Sequence, residues 1–474
     1  MSEAVLLSFE KSVSGRRSRV FPPLDVPETA LPENFLRARA PRLPEFCEAD
    51  VSRHYTQLAR RTHGVNDGFY PLGSCTMKYN PALNEVAAAL PGFTDTHPLA
   101  PEEATAGCRR VMAELERDLC EITGMDAFTL QPAAGAQGEL TGLLCIKAYH
   151  ESRGEARRTK MLVPDSAHGT NPASAAMAGY EVVSVASRPD GLVDLEHLKS
   201  LLSDEVAGIM LTNPNTLGLF ERDILEISEM VHQAGGLLYY DGANLNAILG
   251  LARPGDMGFD ATHLNLHKTF STPHGGGGPG SGPVGVKAAL KPFLPVTASA
   301  GGQGGLQMKA FYGNFSVMVK ALCYLKTLGR EDLRGVSEHA VLNARYLLER
   351  LKDAGYAAAK DAPCMHEFVL CLEELKEQTG VSALDVAKAL IDRGIHPPTM
   401  YFPLIVHEAL MFEPTETESM ETLDHAAEAM LDILRDARRD PEGMRDTPHN
   451  AVIGRPDEVA AARSPILRYH PERP

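Results

Sequence analysis

Between about residues 100 and 290 the chain alternates two spacings of apolar positions. At 102–122 and 138–153 apolar residues recur every three or four places (Leu140, Leu143, Leu144 and Ile146 in the second), which predicts helices. Short runs rich in Val, Ile and Leu at 160–163, 181–185, 208–212, 236–241, 263–265 and 284–286 predict strands. Helical spacing at 195–202 and 223–233 falls between them. Strand and helix in alternation imply a mainly parallel sheet covered on both faces, with ligands bound at the carboxyl ends of the strands.

The pattern changes on either side. Up to about residue 50, prolines (Pro22, Pro23, Pro27, Pro32, Pro41, Pro44) replace periodic apolar positions, which predicts an extended arm. Helices are predicted at 315–328 and 337–351. Strands at 367–372 and 399–403, with helices at 383–391 and 419–437, then predict a smaller α+β unit. After Asp440 the prolines at 441, 448, 456 and 465 predict irregular structure. The reading is an α/β chain of three parts: arm and entry segment 1–95, large α/β domain 96–330, and small α+β domain with its tail 331–474.

Composition narrows the function. With 474 residues, 44% of them hydrophobic, the chain can bury a large core. A net charge of −16 argues against nucleic acid and against an anionic membrane surface. The eight cysteines form no CxxC pair, so no metal centre is expected, and scattered thiols fit a reducing cytoplasm. An acid precedes the very short apolar run at the N-terminus, the wrong order for a secretory signal.

The chemistry centres on two charged residues at strand ends. Leu237-Leu238-Tyr239-Tyr240-Asp241 reads as a buried strand closing on a carboxylate. The next strand, from His263, leads to His267-Lys268-Thr269 and then to a glycine-rich run at 275–282. Such a pair suits pyridoxal 5'-phosphate (PLP). Lys268 would form the covalent Schiff base, and Asp241 would keep the pyridine nitrogen protonated so that the ring accepts electrons. Three further segments agree with this. Ala134, Gly135 and Ala136 precede a helix whose first N–H groups could hold a phosphate. His168 follows a strand and could lie on the cofactor ring or act as acid or base. Asn213, or a neighbouring threonine, could reach the ring's phenolic oxygen, and Ala243 would pack beneath the ring.

Longer strings add a family. Residues 70–81 (Tyr-Pro-Leu-Gly-Ser-Cys-Thr-Met-Lys-Tyr-Asn-Pro), 168–174, 266–269 and 414–419 resemble the P-protein family of the glycine cleavage system, glycine dehydrogenase (decarboxylating), in its PLP-bearing subunit 2 of the two-subunit type. The resemblance implies a PLP-transferase fold of the aspartate aminotransferase type (fold type I). It implies an oxidoreductase that decarboxylates glycine and passes the aminomethyl group to the lipoyl arm of H-protein. The implied partners are that H-protein and a homologous subunit 1, in an α2β2 heterotetramer. By the same resemblance His168, Asp241 and Lys268 are catalytic, His267 and Gln303 lie by the cofactor, and Ser74, Cys75, Thr76 and Lys78 lie near the substrate. Another PLP decarboxylase, a transaminase, or a non-catalytic scaffold subunit remain open at this point. Against a transaminase stands the absence of an arginine in a matching motif; against a scaffold stands the intact pair of Asp241 and Lys268.

Overall fold

The structure, a computed structural model, describes residues 5–18, 22–39, 41–275, 277–296 and 306–468; Gln303 lies outside them. Contacts divide the chain into two compact units. One is Gly68–Asp446, and the other joins Met1–Asp67 with Thr447–Pro474.

The larger unit is built on a seven-stranded sheet in the order β1-β7-β6-β5-β4-β2-β3. Its strands are β1 (Ala127–Thr129), β2 (Lys160–Pro164), β3 (Glu181–Val185), β4 (Val206–Leu211), β5 (Leu237–Gly242), β6 (Ala261–Leu264) and β7 (Val284–Val286). Strands β3, β2, β4, β5 and β6 run parallel, while β7 is antiparallel to both β6 and β1. The short β1 carries only three buried residues, too few for alternation to announce it.

Burial on both faces explains the near-continuous apolar strands. Leu162, Ile209, Leu211, Leu238 and Tyr240 join one core, whereas Met161, Val163, Met210 and Tyr239 join another. Successive side chains of a strand point to opposite faces, so both faces are filled. Helices Glu102–Thr123 and Gly135–Ser152 are close to their predicted limits. The predicted pair of helices at 315–351 forms one long element, Phe315–Ala354, interrupted where Gly329 takes φ 64°.

A second, antiparallel sheet follows in the order β10-β11-β9-β8, from β8 (Ala357–Ala358), β9 (Phe368–Cys371), β10 (Thr399–Met400) and β11 (Ala409–Phe412). Phe368, Leu370, Leu410 and Phe412 pack with Val386 and Leu390 of one helix and Met430 and Ile433 of another. The predicted strand at 399–403 stops after two residues. The stretch after Asp440 is less irregular than its prolines suggest: Pro441–Arg445 is a helix with proline in its first turn, capped by the Asp440 carboxylate accepting from the Gly443 N–H at 3.0 Å.

One connection matters for function. Residues 71–73 run antiparallel to the end of β11. Leu72 bridges to Phe412, Gly73 N–H donates to Met411 O at 3.2 Å, and Glu413 N–H donates to Pro71 O at 3.2 Å. This pairing brings Ser74, Cys75 and Thr76 beside residues that follow the small sheet.

Among its described residues the smaller unit has helices Ser8–Lys11, Glu48–Ala59 and Glu458–Arg463 and a 3-10 turn at Glu33–Phe35. Its proline-rich stretch keeps Leu24, Val26, Leu31, Phe35, Leu36 and Leu43 exposed.

Candidate active site

A cavity of about 690 Å³, open solvent at its mouth included, lies at the carboxyl ends of the parallel strands. His168 follows β2, Thr212 and Thr216 follow β4, Asp241 ends β5 and Lys268 follows β6, and all five line it. Gly135 and Ala136, at the start of helix Gly135–Ser152, complete that side. The first N–H groups of a helix have no intrahelical partner and carry the positive end of its dipole. Gly135 permits this approach, because a Cβ there would sit 2.5 Å from Asn265 Oδ1.

Asp241 is buried and held on every side. Asn171 Nδ2 donates to its Oδ2 at 2.7 Å and Ala243 N–H to its Oδ1 at 3.0 Å. His263 Nε2 lies 3.4 Å from Oδ1, and the same ring meets the Tyr239 hydroxyl at 2.8 Å through Nδ1. Burial pushes the carboxyl up, but His263, Asn171, the Ala243 N–H and Lys268 together outweigh it and hold Asp241 below its ordinary value. It is an anion across the neutral range.

Lys268 Nζ donates to Ser74 O at 2.6 Å. His168 is largely enclosed, so burial pushes its imidazole down, partly offset by Asp241. Its Nδ1 is 2.9 Å from Thr170 Oγ1, whose hydroxyl donates to Glu139 Oε1 at 2.8 Å. His267 is driven down to about 3 by burial and by the Lys268 and His274 charges; its Nδ1 accepts the Ser281 N–H at 3.3 Å.

Several sequence-derived residues occupy other places. Asn213 closes its own loop: Oδ1 accepts the Glu221 N–H at 2.9 Å and Nδ2 donates to Glu221 O at 3.4 Å. Its amide is spent there, and Thr212, whose buried hydroxyl has no partner, faces the cavity instead. Ala134 is the residue before the helix, outside the cavity wall. Of residues 74–78 only Ser74 lines the cavity. Burial raises the Cys75 thiol, which keeps it protonated. Thr76 donates to Glu413 Oε1.

Lys78 is a buried structural cation. Its Nζ contacts Glu416 Oε1 at 2.6 Å, Asn246 Oδ1 at 3.1 Å and the Tyr324 hydroxyl at 3.1 Å. Burial pushes this ammonium down, but Glu416 and Tyr324 more than restore it. Breaking a buried ion pair from one side strands the other charge, so Lys78→Met is expected to destabilise the fold by about 3–5 kcal/mol, read from urea unfolding.

The sequence does not single out Asn171, Glu139 or Asn265, and it offers Thr212 only as one of the threonines beside Asn213. Nor does it single out His366, Glu367 and Glu413. Glu367 and Glu413 flank the apolar strands β9 and β11, and an acid abutting such a run was the available signal.

The residues present suit PLP. Thr212 Oγ1 and Asn265 Oδ1 are buried without partners, a helix N-terminus faces the cavity, and a buried anion and a lysine share its wall. Fold and site together define the fold-type-I class of PLP-dependent enzymes. A solved glycine decarboxylase (P-protein) of the glycine cleavage system, in inhibitor-bound form, superposes with TM-score 0.67 over 87% of this chain and 92% of that one, at 23% identity. A sphingosine-1-phosphate lyase from Burkholderia pseudomallei gives 0.65 over 88% and 94%, at 15% identity. Residues 336–457 match the family model described as glycine dehydrogenase, C-terminal domain. Proteins called probable glycine dehydrogenase (decarboxylating) subunit 2 are 59% identical: that of Caldanaerobacter subterraneus over 98% of both chains, and that of Treponema denticola over 99% of this chain and 98% of its own. The chain belongs to the glycine dehydrogenase (decarboxylating) subunit 2 family.

Proposed function

We propose that this chain is the PLP-bearing half of a glycine-cleaving decarboxylase. It would work in the cytoplasm with a homologous subunit 1, in an α2β2 assembly, and pass an aminomethyl group to the lipoyl arm of H-protein. Among the described residues no helix is long and apolar enough to cross a membrane. The observation that carries the reading is the pairing of buried Asp241 with Lys268 across one cavity at the strand ends.

Bound PLP supplies an electron sink for the pair freed when the bond from the glycine α-carbon to its carboxylate breaks. Lys268 would hold it covalently through its aldehyde carbon. Asp241, kept anionic by Asn171 and His263, would hold a proton on the ring nitrogen. Ala243, which lines the cavity, would leave room for the ring, and the unpartnered Thr212 hydroxyl would be available to its phenolic oxygen. The N–H groups of Gly135 and Ala136 would take the phosphate. Neutral His168, close to both charges, would lie against the ring and move a proton at the reacting carbon or nitrogen.

No arginine lines the cavity among the described residues, which weighs against a transaminase that anchors its substrate carboxylate. A carboxylate gripped by a guanidinium would also be a poorer leaving group, since the bond would be strongest before CO2 departs. The test is exchange of labelled CO2 into glycine. Exchange is expected only when subunit 1 and lipoylated H-protein are both added; exchange of equal rate without H-protein would assign the chain to decarboxylases of free amino acids.

A further inference from the structure

Beside the cavity, where the small sheet meets residues 74–76, is a group of three buried ionisable side chains. Ligand atoms of His366, Glu367 and Glu413 all lie within 4.8 Å of one another. His366 and Glu367 line the cavity together with Lys268. Their positions are fixed tightly. Glu367 Oε2 accepts the Ser74 N–H at 2.8 Å, and its own backbone oxygen abuts Gly218, where a Cβ would come within 1.9 Å. Gly218 has φ 76°, a left-handed value suited to glycine, and its carbonyl accepts the Met365 N–H at 2.7 Å. Glu413 Oε1 accepts from Thr76 and, at 2.7 Å, from Asn244 Nδ2.

What these groups lack is equally specific. Among the described residues both His366 nitrogens and Glu413 Oε2 are buried with no hydrogen-bond partner, and His366 is only 2% exposed. Among the described residues no lysine or arginine is bonded to either carboxyl, and the nearest ring nitrogen, His366 Nε2, stands 3.9 Å from Glu367 Oε1. Two carboxylates this close, away from water, do not both ionise at modest cost, so the pair retains a proton. The surrounding charges agree. Burial first and the Glu413 charge second push Glu367 up to about 8, against the Ser74 N–H and Lys268. Burial pushes Glu413 up to about 7, against Thr76, Asn244, Lys268 and Lys78. Burial and the Lys268 charge drive His366 down to about 3, so it is a neutral ring. Cys75, the remaining titratable group against them, is held as a thiol.

The proposed reaction needs such a proton. Zwitterionic glycine loses CO2, and its α-carbon bonds to one sulfur of a cyclic disulfide. The S–S bond breaks, and the other sulfur leaves with the bonding pair. With the amine released as an ammonium, the balance is one glycine, one disulfide and one proton giving CO2, an aminomethyl thioether and a thiol. One proton is consumed in each turnover, at the departing sulfur. We propose that Glu367, with Glu413 holding the proton behind it and neutral His366 lining its path, donates that proton to the leaving sulfur. The inference rests on the function proposed above and adds the group that completes it. Glu367 lies on the wall shared with Lys268, so the donor and the cofactor lysine face one cavity.

The test uses the cofactor-loaded chain assembled with its companion subunit. Glu367→Gln keeps an acceptor for the Ser74 N–H and removes the acid; Glu413→Gln is the second variant should the first fail to fold. Glu367→Gln is expected to lose an infrared carbonyl band of a protonated carboxyl while still showing the glycine-induced change in cofactor absorbance. Transfer to oxidised lipoamide should fall by about 10²- to 10⁴-fold, the scale of general acid catalysis. In the unmodified enzyme transfer should decline as pH rises through about 8, because the acid form is lost, and the variant should lack that decline. An aromatic disulfide whose leaving thiol is already acidic needs no donor and should restore most of the lost rate. Equal loss with both disulfides, or no change in the carboxyl band, would overturn the assignment. If unmodified enzyme failed to release CO2 from glycine at all, the proposed function would fall and this role with it.

Discussion

Lys268→Ala is expected to abolish covalent attachment of the cofactor, so that borohydride reduction followed by peptide mapping finds no labelled lysine peptide. Among the described residues Lys268 is the lysine on the cavity wall, and the one hydrogen bond of its amine goes to Ser74 O. Removing that bond costs about 1 kcal/mol, so the fold should survive. Glycine decarboxylation should fall by about a thousandfold or more, the scale expected when a covalent participant is removed. A circular dichroism melt close to that of the unmodified protein separates lost chemistry from lost structure. Label on a different lysine in the unmodified protein would overturn the assignment.

The second large effect is expected at Asp241. Asp241→Asn keeps the shape but removes the buried charge that His263, Asn171 and the Ala243 N–H are arranged to stabilise. Without the anion, the wall loses the charge proposed to favour a protonated ring nitrogen. The rate should fall by about a hundred- to ten-thousandfold, while Lys268 still traps cofactor under borohydride. The unchanged label distinguishes this variant from Lys268→Ala. Full activity in Asp241→Asn would remove the residue from the electron-sink role.

Strand-end residues of the parallel sheet were the legible part of this site. Asp241 and Lys268 each follow a buried apolar run, and the run gives both the strand and the direction of its end. Side chains whose task depends on a partner far along the chain were not legible. Asn213 looked available until the structure showed its amide spent on Glu221. Lys78 carries the same charge whether it faces substrate or Glu416, and only the fold brings that glutamate, 338 positions away, within 2.6 Å. Glu367 and Glu413 escaped notice for a related reason. Acids are ordinarily solvated, and nothing in a linear string says that two of them will be enclosed side by side. The small sheet was harder to read than the large one because β8 and β10 are two residues long, below the length at which alternation carries a signal.

The peptide of Ser74 has a consequence for how such enzymes can be rebuilt. Its carbonyl accepts from Lys268, beyond β6 of the large sheet, while its N–H donates to Glu367, beside β9 of the small one. The stretch before it is stitched to the end of β11. A chimera that swaps the second sheet as a cassette, cut at about residue 330, would leave this splint behind with the wrong host. Recombinants should therefore carry residues 70–78 along with the C-terminal module, even though more than 250 positions separate them in the gene.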